Sequence, residues 1–284
     1  MRTDELVMGI IFAVGAAAAG TAWLVVRSAR HRLAAQPMRA VGLDGVDVFA
    51  AVVIFLFGQV AGVAAANAVR QTTVLPADVR EAAALLTGQM LMHGVVAAFI
   101  LVRVHMARAG GMRALGLWPI ARPRHALWLA GAVVVGMPIV FATLQAAVLA
   151  GELIRGEPAP PVAHVMLEQI RAARSPATLA LLYTSAVIVA PITEEIIFRG
   201  LIQNVLVRSL GPMQRWIAIV ITSLLFAAIH LGAMPIPEPV VALLVLSILF
   251  GWLYERTGSL WLPIALHAIF NALNIVAMRR FPDA

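Results

Sequence analysis

Five ionisable side chains of the C-terminal half lie inside apolar stretches, where a charge is costly enough to mark a working site. The run Pro191-Ile192-Thr193-Glu194-Glu195-Ile196-Ile197-Phe198-Arg199-Gly200 places two adjacent carboxylates and an arginine on one helix. Glu195 and Arg199 are four apart, the order that favours an ion pair on one face. Glu194 is turned about 100° from its neighbour and is left free for proton chemistry. In a second run, Phe226 precedes His230 by one turn, so its ring fixes the imidazole and shields one flank. In a third, His267 and Asn271 share a face one turn apart and offer paired hydrogen-bond donors.

A carboxylate held in an apolar wall is a stronger base than one in water, and beside an imidazole it can take a proton from water and pass it on. Glu194 and His230 would thus activate a water for attack on a peptide carbonyl. His267 and Asn271 would donate to the oxyanion that develops. A second reading stays open: Glu194, His230 and His267 are an acceptable ligand set for a catalytic divalent ion such as zinc. No HExxH spacing is present, so the sequence does not select zinc, and no cofactor is expected.

For these groups to meet, separate helices must carry them to one depth. About 20 apolar residues cross a bilayer, and such runs lie near 5–26, 47–68, 83–102, 126–149, 177–206, 215–231, 240–255 and 260–278. The expected fold is all-α, a polytopic transmembrane helical bundle of about eight spans with a four-helix catalytic core at the C-terminal half. Measured from one shared end, Glu194 lies roughly 18 Å from Leu206, His230 roughly 22 Å from Arg215 and His267 roughly 16 Å from Arg256. That common depth predicts one water-accessible cavity. The fifth run is long and is interrupted at Pro191, which predicts either a kinked helix or a membrane helix joined to an interfacial one.

Composition agrees with lipid as the main solvent: 62% of the 284 residues are hydrophobic and 12% charged, too few to cover a water-soluble globule. The absence of cysteine excludes disulfides, thiolate metal sites and cysteine nucleophiles. The net charge of +7 comes from arginines clustered between apolar runs, which points to anionic membrane lipids as partners and not to nucleic acid. Arg27, Arg30, Arg32 and Arg39, and then Arg103, Arg108, Arg113, Arg122 and Arg124, assign their loops to the cytoplasm. Both termini then lie outside, and the loops at 207–215 and 255–259 inside; Arg279 and Arg280 argue the other way. The chain is read as multi-pass in the cell (plasma) membrane, and nothing in it reveals an oligomeric state.

The Pro-rich stretch Gly156–Ala163 separates N-terminal transmembrane helices of unknown role (1–150) from the chemical region (177–278), with 151–176 as an extramembrane or interfacial loop. Within it, Val162–Ala173 could lie on the membrane as an amphipathic helix. Gln59, Asn67, Gln89, His93 and Gln145 are read as bridges between helices, and Gly15, Gly20, Gly58, Gly62 and Gly251 as points of close helix approach.

In order along the chain, Glu194-Glu195-x-x-x-Arg199, Phe226-x-x-x-His230 and His267-x-x-x-Asn271 resemble the CPBP family of intramembrane proteases. That family includes the type II CAAX prenyl endopeptidases and proteins of bacteriocin processing or immunity. The likeness covers roughly 177–278, the ABI domain, and no motif position departs from the pattern; Phe250 and Gly251 fall where the family has a further weak motif. It implies a conical cavity open to the cytosol, with Glu194 and His230 activating water and His267 and Asn271 forming the oxyanion site. Glu195, Arg199 and Phe226 would support them, and glutamate-type chemistry without metal is favoured. The implied partner is a peptide or protein substrate of unreadable sequence. The rival reading is a noncatalytic peptide-binding or bacteriocin self-immunity membrane protein. A proton-relaying transporter would call for inverted repeats, and none is visible.

Overall fold

The computed structural model describes residues 33, 39, 41–107, 110–118, 123–158, 165–234 and 236–280. The run near 5–26, with Gly15, Gly20, Arg27, Arg30, Arg32, Arg108 and Arg122, lies outside them. The described chain is helical throughout: α1 Gly45–Arg70, α2 Ala77–Met106, α3 Gly111–Ala114, α4 Pro123–Arg155, α5 Val165–Ala172, α6 Pro176–Leu210, α7 Pro212–Ala233, α8 Pro239–Thr257 and α9 Trp261–Arg280. All but α3 and α5 are long and apolar enough to cross a membrane, and each lies on one of the expected runs from 47–68 onward. The protein is a multi-pass membrane protein.

Local chemistry sets several boundaries. Asp44 caps α1 by accepting from Val46 N–H at 2.8 Å, and Asp47 returns a bond to Asp44 N–H at 3.0 Å, so two otherwise orphan donors are satisfied. Ser175 caps α6 through Thr178 N–H at 3.1 Å, just ahead of Pro176, whose missing donor costs nothing at that position. α8 ends at Gly258, which takes φ +69°. Pro191 does not end α6, and no separate interfacial helix follows it: the 35-residue element runs through, widened into π-helical turns over Thr184–Val189 and Ile196–Gln203. The wider turn before the proline makes room for its ring.

Helices meet closely where glycine permits. A Cβ at Gly58 would lie 2.8 Å from Leu91 O, and one at Gly62 would lie 2.8 Å from Gly88 O, so α1 and α2 touch backbone to backbone. Gln89 accepts from Ser185 Oγ and ties α2 to α6. His93 stacks on Phe55 across α1 and α2 with ring centroids 5.7 Å apart. Asn67 accepts from Arg70 of its own helix, and both Gln59 and Asn67 are exposed, so neither bridges helices within the described chain. Three hydrophobic clusters hold the bundle, and each mixes residues from before and after the loop at 151–176.

One end of the bundle is tied shut. Leu260 N–H donates to Gly116 O at 3.1 Å and Trp261 Nε1–H to Leu117 O at 3.0 Å, joining the α3 loop to the α8–α9 turn. Beneath it, Glu255 accepts from Arg39 at 3.0 Å, Gln203 at 3.0 Å and Arg215 at 2.5 Å. The stretches expected on one side of the membrane therefore do meet at one end. At the opposite end lie α5, the α7–α8 connection and the last turns of α4 and α9, with Arg155 paired to Glu238.

Candidate active site

Near the middle of α6 the tandem carboxylates part company. Glu195, fully buried, accepts from Arg199 Nη1 at 2.8 Å, and Arg199 spends Nη2 on Ser247 O at 2.9 Å and Ser247 Oγ at 2.6 Å in α8. Paired on both flanks, this buried charge locks α6 to α8. Glu194, one residue earlier and rotated by the helical period, is 7% exposed, and its Oε2 has no hydrogen-bond partner among the described residues.

His230 stands at the C-terminal cap of the α-helical part of α7. Its Nδ1 lies 2.7 Å from Phe226 O, and since a carbonyl only accepts, Nδ1 carries the proton. Nε2, which carries the lone pair in the neutral ring, lies 3.9 Å from Glu194 Oε2. The Phe226 ring packs on His230 with centroids 4.7 Å apart. Phe226 also meets the His267 ring edge to face at 5.9 Å and stands 5.0 Å from the Arg199 guanidinium carbon.

On α9, His267 faces Glu195 and not Glu194: its Nδ1 is 3.2 Å from Glu195 Oε1. Phe250 stacks on the other side of this imidazole at 5.1 Å, which gives a physical role to a position the sequence marks only weakly. Asn271 donates from Nδ2 to Ala186 O at 2.7 Å. The reason is written in α6. Ala190 N–H bonds Ser185 O, so the next donor in that register, at position 191, would serve Ala186 O. Proline has no such donor, and the asparagine amide supplies it. One amide proton of Asn271 is thus committed and the other is left over.

Glu194, His230, His267 and Asn271 line one cavity of about 210 Å³. Its remaining walls are mostly apolar, from Leu144 of α4, Met166 of α5, Met234 and Leu243 among others. The cavity therefore extends toward α5 and the α7–α8 connection, away from the end that holds Arg39, Arg215 and Glu255. An arginine-rich cytoplasmic end and a cavity open to the cytosol cannot both hold for this bundle. Among the described residues, no three His, Asp or Glu are grouped closely enough to share an ion, and His267 Nδ1 is directed at Glu195.

Three participants escaped the sequence reading. Ser247 and Glu255 hold the arginines, and Asn274 lines the cavity. Glu255 could have been found, since it closes an apolar run as a lone carboxylate; Ser247 carries no such signal.

Residues 176–273 match the family model described as "Type II CAAX prenyl endopeptidase Rce1-like", a likeness consistent with the CPBP motifs of this C-terminal region. No curated protein and no solved structure matches the chain. The family match supports a hydrolase of the CAAX-type intramembrane protease class.

Proposed function

We propose that this protein is an intramembrane endopeptidase of the cell membrane that cleaves a peptide bond with a water activated by Glu194 and His230. The observation that carries the reading is the 3.9 Å separation of Glu194 Oε2 and His230 Nε2 at the wall of a largely apolar cavity. Both atoms are acceptors, and a single water can give one O–H to each at ordinary hydrogen-bond lengths. As its oxygen attacks the carbonyl carbon, the proton passes to one of them and later to the leaving amine.

Asn271 donates its uncommitted amide proton to the oxyanion. His267 adds a second donor only in its doubly protonated form, because Nδ1–H is already directed at the Glu195 carboxylate. Glu195, Arg199 and Phe226 hold these rings and do not touch the substrate. No step requires a metal. The substrate enters from the end formed by α5 and the α7–α8 connection, where the cavity walls lead.

The test compares wild type, Glu194→Gln and His230→Ala in detergent on a quenched peptide library. Hydrolysis by wild type alone supports the assignment. Equal hydrolysis by all three removes the proposed roles, and peptide binding without turnover by any of them favours the noncatalytic rival.

A further inference from the structure

A second concavity of about 580 Å³ lies on the outer face of the seam between α6 and α9, separate from the catalytic groups. Its two halves differ in chemistry. Arg279, Arg280, Tyr183 and Thr184 form one end, and the rest is apolar, with Val187, Ile188 and Val276 as the main surfaces. Arg279 reaches Tyr183 OH at 3.4 Å, and no carboxylate among the described residues pairs with either arginine. Both guanidinium groups are exposed at the last turn of a membrane-spanning helix, while Ile188 and Val276 are exposed where acyl chains would be.

A polar end with two cations and two hydroxyls above an apolar trough is complementary to one kind of molecule, an amphiphile with an anionic head and a hydrocarbon tail. We propose that this groove is a binding site for an anionic phospholipid. The phosphate sits on Arg279 and Arg280, within reach of the Tyr183 and Thr184 hydroxyls, and one acyl chain lies along Val187, Ile188 and Val276. Arginine suits the task because its planar fork meets phosphate oxygens two at a time. The seam is also where Asn271 bonds Ala186 O, and Ile275 lines both the groove and the catalytic cavity, so the lipid braces the pair of helices that carries the site.

The test uses the full chain in a neutral detergent, titrated with phosphatidylglycerol or phosphatidylcholine, with bound lipid counted by native mass spectrometry. Wild type should retain phosphatidylglycerol on the order of tenfold more strongly than phosphatidylcholine. The double variant Arg279→Gln/Arg280→Gln should lose that preference. Arg171→Gln/Arg174→Gln, which removes the same charge from the same end, should keep it. Val276→Trp, which fills the trough, should weaken retention with both arginines in place. Glycerol phosphate in millimolar excess should not displace the lipid. Equal retention of the two lipids by wild type, or equal losses in the two double-arginine variants, overturns the proposal; so does displacement by glycerol phosphate, which would mark an anion site with no use for the tail.

Discussion

Two clusters of buried charge in this bundle are finished differently. At the closed end, Glu255 is 1% exposed and takes hydrogen bonds from Arg39, Gln203 and Arg215. At mid-bundle, Glu194 is also buried, yet its Oε2 has no partner and faces a cavity together with His230. Glu195, beside it in sequence, stands nearer the first kind: Arg199 and His267 are both directed at Oε1, and only Oε2 has no hydrogen-bond partner among the described residues. Removing a charge from water is expensive in either place. In one place the expense is offset by partners that tie helices together. In the other it is left standing, and an unmatched carboxylate next to a lone pair is what proton transfer needs. Pairing, rather than burial, separates architecture from chemistry here.

That contrast can be broken by substitution. Glu194→Gln should lower kcat/KM for peptide hydrolysis by roughly 10²–10⁴, the usual weight of a general base, without lowering the unfolding temperature in detergent. Glu255→Gln should do the reverse: it leaves Arg39 and Arg215 short of their shared counter-charge, costs about 3–5 kcal/mol in detergent unfolding, and leaves activity per folded molecule within a few-fold of wild type. Asn271→Ala stands between the two classes. It strips the donor from Ala186 O beneath Pro191, so stability should fall by about 1–3 kcal/mol in the same unfolding assay while turnover also drops. Strong chelation should have the smallest effect, none on turnover measured before and after treatment with a metal chelator, because no proposed step passes through an ion.

Apolar run length was enough to place seven helices, since span length is dictated by bilayer thickness and not by detail. Helical periodicity was enough to pair Glu195 with Arg199 and Phe226 with His230, because both lie within one turn of a single helix. What stayed illegible is long-range. Arg39 and Glu255 are 216 positions apart, and no local pattern links them. Asn271 was read as a donor to substrate, but its first partner is a carbonyl freed by a proline 80 positions earlier in the chain, visible only once the π-helical register of α6 is known. The side on which the cavity lies was also hidden. Arginine counts speak to the ends of helices, whereas the direction of the cavity depends on which end α5 and the α7–α8 connection occupy.

The most direct test sets Glu194→Gln beside Glu255→Gln in one preparation and measures hydrolysis per folded molecule for each. The unpaired carboxylate should abolish turnover when it is neutralised, and the paired one should spare it. Comparable losses in both, or full activity in Glu194→Gln, would contradict the division between a structural and a chemical charge on which the assignment rests.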